Sequence, residues 1–126
     1  MSNMFQDVKD FQTAVGQNVG QKPEFPSADE RCLRIRLLEE EFEEYLQGEG
    51  KDDLENIAKE LADIIYIVCG TAVSYGIPLD RVFDEVHRSN MAKLVDGKPV
   101  RRDDGKILKP EGWTPPDIKS ILYGVE

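Results

Sequence analysis

At 126 residues and 14.3 kDa the chain has the length of one domain with a single hydrophobic core, which excludes a tandem architecture. Apolar residues at 40% and charged residues at 33% exclude collagen-like, low-complexity and wholly disordered classes. Sixteen basic against 25 acidic side chains leave a net charge of -9, which repels phosphate backbones and anionic headgroups, so neither nucleic acid nor a membrane is an expected partner.

In chain order, Phe5, Val8, Phe11 and Val15 recur at helical spacing, and Gly16, Gly20 and Pro23 close this leading helix. Ser27 and Glu30 form an S-x-x-E capping box, in which hydroxyl and carboxylate satisfy each other's free backbone N–H groups. The helix it opens is expected to run to about Gln47, to bury Ile35, Leu38, Phe42 and Tyr45, and to break at Gly48-Glu49-Gly50. Asp52 and Glu55 repeat the capping signature before a run that lasts to Gly76, and the short connection predicts that the two long helices pack antiparallel. Pro78 suits the first turn of a fourth helix over about Leu79 to Lys93, with Leu79, Val82, Phe83 and Val86 buried.

From Leu94 onward Asp96-Gly97-Lys98-Pro99, Asp103-Asp104-Gly105-Lys106 and Trp113-Thr114-Pro115-Pro116 read as turns and extended chain. Asp104-Gly105 offers one β-hairpin flanked by Val100 and Ile107, and Trp113 reads as a packing anchor for the tail. The fold class is therefore all-α: a bundle of about four helices in a single domain over 1–126, with a core over about 28–94 and an irregular tail over 95–126. No window reaches 18 apolar residues and the N-terminus lacks the basic and apolar regions of a signal peptide, so a cytoplasmic location is expected. Cys32 and Cys69 lack a CxxC neighbour and read as reduced, buried thiols.

The chemistry centres on Asp63, which stands in the apolar run Leu61-Ala62-Asp63-Ile64-Ile65-Tyr66-Ile67-Val68-Cys69. A carboxylate stripped of water needs a cation or several donors beside it. Glu60, three residues earlier, shares its face, and two carboxylates at that spacing suit a hard cation such as magnesium. The preceding helix carries five acids in the six positions Glu39 to Glu44, with Glu41 and Glu44 at the edge of the expected core. Two antiparallel helices, each offering an i, i+3 acidic pair, make a four-carboxylate cage that repels itself unless a divalent metal enters.

Glu40-Glu41-x-x-Glu44 followed by Glu60-x-x-Asp63 resembles the EExxE…ExxD signature of the all-α nucleoside triphosphate pyrophosphohydrolases, a superfamily of MazG-like proteins, dimeric dUTP pyrophosphatases and phosphoribosyl-ATP pyrophosphohydrolases. The register Glu39-Glu40-x-x-Glu43 also fits the first half; the later one is preferred because Glu43 points to water. Glu60 to Val68 with Gly70-Thr71-Ala72, and Val86-His87-Arg88-Ser89-Asn90-Met91-Ala92-Lys93-Leu94 with Asp96-Gly97-Lys98-Pro99, are similar to the small MazG-like members of bacteria and their phages, and the likeness covers roughly residues 30 to 110.

The resemblance implies hydrolysis of a (deoxy)nucleoside triphosphate between the α and β phosphates, to monophosphate and pyrophosphate, with Mg2+ or Mn2+, in nucleotide-pool control. It implies metal coordination by Glu41, Glu44, Glu60 and Asp63, with Glu40 as a further ligand or as the carboxylate that deprotonates water, so that Glu40 and Glu41 are the catalytic pair. The buried stripe of the fourth helix, extended, lands on Asn90 and Lys93, and the family's N-x-x-K pair makes them phosphate or base contacts. Lys98 and Arg101, in a tail with a local basic excess, are further candidates for the triphosphate, whereas His87, one step off the stripe, reads as a surface residue. Dimers, often paired into tetramers, are the superfamily's habit and suit a bundle too thin to bury Ile64, Ile65, Ile67, Val68 and Val73 together. The base stays open: a purine such as dGTP, dUTP and phosphoribosyl-ATP are all candidates, because specificity lies in the pocket beyond the metal. The competing class is a non-catalytic acidic helical module, which leaves Asp63 unexplained.

Overall fold

The computed structural model describes residues 3–124 and is mainly helical: α1 (Met4–Ala14), α2 (Ala28–Gly50), α3 (Leu54–Tyr75), α4 (Leu79–Met91), a two-stranded ribbon of β1 (Leu94–Val95) and β2 (Lys98–Pro99), and α5 (Ile118–Tyr123). The chain divides into two compact units, one up to Leu79 and one from Asp80 onward. No single helix among the described residues is long and apolar enough to cross a membrane.

In the first unit α3 is central, with α2 packed along one face and α1 on another. The antiparallel α2–α3 pairing follows from the three-residue link Lys51-Asp52-Asp53. Asn3, Ser27 and Asp53 cap the three helices, each side chain accepting a backbone N–H from the first turn. Gly48 does not break α2, which runs on to Gly50. A helical glycine costs only about 1 kcal/mol, and Gly48 gives its missing Cβ to close packing, since one built there would lie 3.0 Å from the Asn56 side chain and 3.1 Å from that of Ile57. Just beyond the helix Asp52 takes the left-handed region at φ 52°, and Asp53 N–H reaches back to the Gly48 carbonyl at 3.0 Å.

The α2 face against α3 also differs from the expected stripe. It carries Arg34, Leu37, Glu41 and Gly48, while Ile35, Leu38 and Phe42 are exposed and Tyr45 is half-buried. The interface holds a cation and, as expected, the Glu41 carboxylate, whereas the apolar stripe lies about a quarter turn away. Among the described residues few side chains are buried; Val8, Cys69, Ala72 and Val73 are the apolar ones. Cys32 is exposed, contrary to the expected burial, and Cys69 is buried, which pushes its thiol above the ordinary range. Between α1 and α3 an apolar pocket of about 210 Å³ is lined by Met4, Asp7, Val8, Ala62, Ile65 and Tyr66. The α1–α2 loop is laced to the end of α3 by Gly20 N–H to Val73 O at 2.8 Å and Glu24 N–H to Tyr75 O at 3.0 Å.

The second unit is anchored on α4. Asp96 and Gly97, both at positive φ, form the tight turn of the β1–β2 ribbon. A bridge between Arg101 and Ile107 closes a second turn at Asp104-Gly105, where the hairpin was expected. Trp113 is indeed the tail's anchor: its indole N–H donates to the Ser89 carbonyl at 2.6 Å, and Lys93 and Lys109 flank the ring. The tail is less irregular than expected, because Asp117 caps α5 and its own N–H is held by Glu85 at 2.8 Å. Glu85 also takes a two-pronged bond from Arg88 at 2.9 Å, and these donors bring its carboxyl down to about 2. Phe83 and Asn90, expected to face inward, are exposed; the buried residue on this face is Ser89.

Candidate metal centre

The antiparallel pairing sets Glu41 of α2 against Glu60 and Asp63 of α3, which lie on one α3 face because 60 and 63 are nearly one turn apart. One carboxylate oxygen from each of the three lies within 4.8 Å of the others. Glu60 is the most buried of them, at 3% exposure, and Glu41 is half-buried. Asp63, expected to be the buried acid, is instead about a third exposed, with its charge met by Lys59 one turn earlier at 2.7 Å. Lys59 also approaches Glu60 at 3.4 Å, and the two acids raise its ammonium above the ordinary range. Solvent screens this exposed pair, so Asp63 remains able to turn toward a cation.

The strained pair is Glu41 and Glu60. Two carboxylates this close cannot both ionise freely, and Glu41 is pushed up to about 7, first by its hydrogen bond to Glu60, then by burial and by the charges of Glu60, Glu44 and Asp63. Glu60 is lowered, chiefly by that same proton and with help from Lys59. Even so, Oε2 of each is buried without a hydrogen-bond partner. Buried acceptor oxygens this close together and lacking donors fit a hard divalent cation, whose oxygen ligands are carboxylates of this kind.

A pH dependence follows. Glu41 has a folded-state value of about 7 against an ordinary 4.5, so the folded chain holds this proton more tightly than the unfolded chain. Its contribution to metal-free stability is complete below about 4.5 and is lost as pH rises to about 7. Urea midpoints of the metal-free protein should fall across that window, and metal uptake below pH 7 should release a proton, measurable by calorimetry in buffers of different ionisation enthalpy.

Glu44 is exposed and adds its charge beside Glu41 and Glu60, and Glu40 is exposed on α2. The remaining candidates belong to the second unit. Lys93 lies just beyond α4 and donates to Asn90 Oδ1 at 3.2 Å, Lys98 is on β2, and the Arg101 guanidinium donates to Gly105 O at 2.8 Å. His87 is exposed, as expected. Lys59 and Arg34 were missed. Lys59 was legible as the i, i+4 partner of Asp63, whereas nothing in the sequence marks Arg34 as buried.

The family model for phosphoribosyl-ATP pyrophosphohydrolase matches residues 8–90, which takes in most of α1, all of α2 and α3, and most of α4. No match was found among curated proteins. With the acidic centre lying inside the matched segment, the chain belongs to the phosphoribosyl-ATP pyrophosphohydrolase family, within the MazG-like superfamily of hydrolases that split phosphoric anhydrides of nucleotides.

Proposed function

We propose that the chain hydrolyses a (deoxy)nucleoside triphosphate between the α and β phosphates, releasing monophosphate and pyrophosphate, in cytoplasmic nucleotide-pool control. The observation that carries this is the pair of buried, donorless oxygens on Glu41 and Glu60 within reach of Asp63. Glu41, Glu60 and Asp63, with Glu44 beside them, would hold Mg2+ or Mn2+. Such an ion, when bound, neutralises phosphate charge and lowers the pKa of water.

The chain's own groups do the rest. Glu60, fixed by burial, keeps one oxygen in place, and Glu41 gives up its proton near pH 7 and becomes a full anion. Asp63 can leave Lys59, whose ammonium then faces the incoming phosphates. Glu40 orients the attacking water and accepts its proton. Asn90, Lys93, Lys98 and Arg101 are the proposed donors to the nucleotide.

The family match favours a second reading of the substrate, phosphoribosyl-ATP. The test is pyrophosphate release with Mg2+ and with Mn2+ against the canonical (d)NTPs, dUTP, dGTP and phosphoribosyl-ATP. Turnover of one or a few nucleoside triphosphates supports the first reading, exclusive turnover of phosphoribosyl-ATP the second, and silence with both metals overturns both and favours a binding module.

The active form is proposed to be a dimer or a pair of dimers. Ile35, Leu38, Phe42 and Leu46 on α2 and Leu61, Ile65 and Val68 on α3 are each between 39% and 60% exposed. In an antiparallel pair these positions flank the helix contact on one side, with Glu44 and Asp63 on the other. An apolar face of this extent is more than a lone chain exposes without a partner. The unaltered chain should sediment as a dimer or tetramer and Ile35→Glu should shift it toward monomer; a monomeric unaltered chain at high concentration contradicts the assembly.

A further inference from the structure

We propose that Arg34 is a positioning residue for the acidic centre: its guanidinium fixes the register of α2 on α3 so that Glu41 meets Glu60. Arg34, Glu41 and Gly48 are seven apart, so they recur on one face of α2 every two turns. Each meets a different level of α3. At one end Gly48 lies against Asn56 and Ile57. In the middle Glu41 meets Glu60. At the other end Arg34 Nε donates to Thr71 Oγ1 at 3.1 Å and Nη2 to the Ile67 carbonyl at 3.0 Å. Thr71 Oγ1 itself donates to the same carbonyl at 2.9 Å, which fixes the hydroxyl as an acceptor for Arg34.

The packing tightens this end further. Gly70 leaves no room for a Cβ, because Arg34 Nη2 and Gln12 Oε1 occupy that space, and Gln12 is held in turn by donating to the Asn18 carbonyl at 3.1 Å. Arg34 is only 9% exposed and none of its bonds goes to a carboxylate. For stability alone an apolar side chain serves a helix interface as well as a buried charge or better. What the planar fork adds is direction: two donors aimed at two fixed acceptors admit one rotation and one axial setting of α2, whereas an apolar contact admits several. The repulsion between Glu41 and Glu60 pushes the helices apart midway, so a directional bond at one end and a close glycine contact at the other are what keep the acids opposed.

This rests on the acidic centre being a metal site. The experiment is Mn2+ binding, read by the electron paramagnetic resonance of the free ion at pH 8, on the full chain and on Arg34→Met, Arg34→Lys and Thr71→Val. Each is checked for folding by circular dichroism at the temperature of the titration. Gly76→Ala, a destabilised variant remote from the acids, is the control. The expected result is at least a tenfold rise in the Mn2+ dissociation constant for both Arg34 variants and a threefold or greater rise for Thr71→Val, with the control unchanged. If the Arg34 variants fail to fold, Thr71→Val alone decides by the same criterion. Folded variants that bind Mn2+ as the unaltered chain does, or a control that weakens equally, overturn the proposal and leave the metal site standing. Absence of binding by the unaltered chain overturns the metal site and this proposal with it.

Discussion

Glu60→Gln should raise the melting temperature of the metal-free protein at pH 8 while removing nearly all turnover. Glu60 is the most buried member of the acidic centre, with one oxygen lacking any donor. Above about pH 7, where Glu41 has lost its proton, two anions face each other across α2 and α3. The amide removes one charge, keeps the shape, and can donate to Glu41, so the metal-free fold gains stability. The same change removes the negative charge of a proposed metal ligand. A loss of about a thousandfold in turnover, or about 4 kcal/mol of transition-state stabilisation, is expected, together with loss of the stabilisation that Mn2+ gives the unaltered chain. Asp63→Asn should cost less stability in either direction, because Asp63 is partly hydrated and paired with Lys59.

Gly76→Ala should be the most destabilising single methyl in the first unit. Gly76 ends α3 at φ 70°, with Ile77 N–H returning to the Ala72 carbonyl at 2.9 Å, so the position requires a left-handed residue. A Cβ there would also overlap the Lys22 backbone carbonyl, which cannot turn aside as a side-chain end could. Left-handed alanine costs about 1 kcal/mol and backbone overlap about 2 more, which together lower the melting temperature by roughly 10 °C. Gly16→Ala isolates the first part, since Gly16 has φ 77° and open space where its Cβ would lie. A Gly76→Ala midpoint no lower than that of Gly16→Ala would show that the loop does not press on the helix end.

The helices and most of their ends were legible because each rests on local chemistry: Ser27 as a cap, Gly76 as a stop, Pro78 before α4. The end of α2 was not, because Gly48, which reads as a break, serves instead as a close-packing site against Asn56 and Ile57. The acidic residues were legible by spacing, but their burial was not. An apolar neighbourhood in sequence suggested that Asp63 is the desolvated acid, and the helix wheel gives that place to Glu60 because α2 approaches α3 on the Glu60, Ile67 and Thr71 side. The α2 face was misread for the matching reason: its apolar stripe at Ile35, Leu38 and Phe42 is the wider one, yet the chain packs α3 on Arg34 and Glu41 and leaves the stripe exposed. Periodicity identifies a face to be covered without saying whether the same chain covers it.

The most direct test of the central claim is product analysis by phosphorus NMR on a turned-over nucleotide, with and without Mg2+, and with Glu60→Gln as the blank. The account predicts monophosphate and pyrophosphate in equal amounts, only with the metal and only from the unaltered chain. Diphosphate with inorganic phosphate, or undiminished pyrophosphate release by Glu60→Gln, would contradict it.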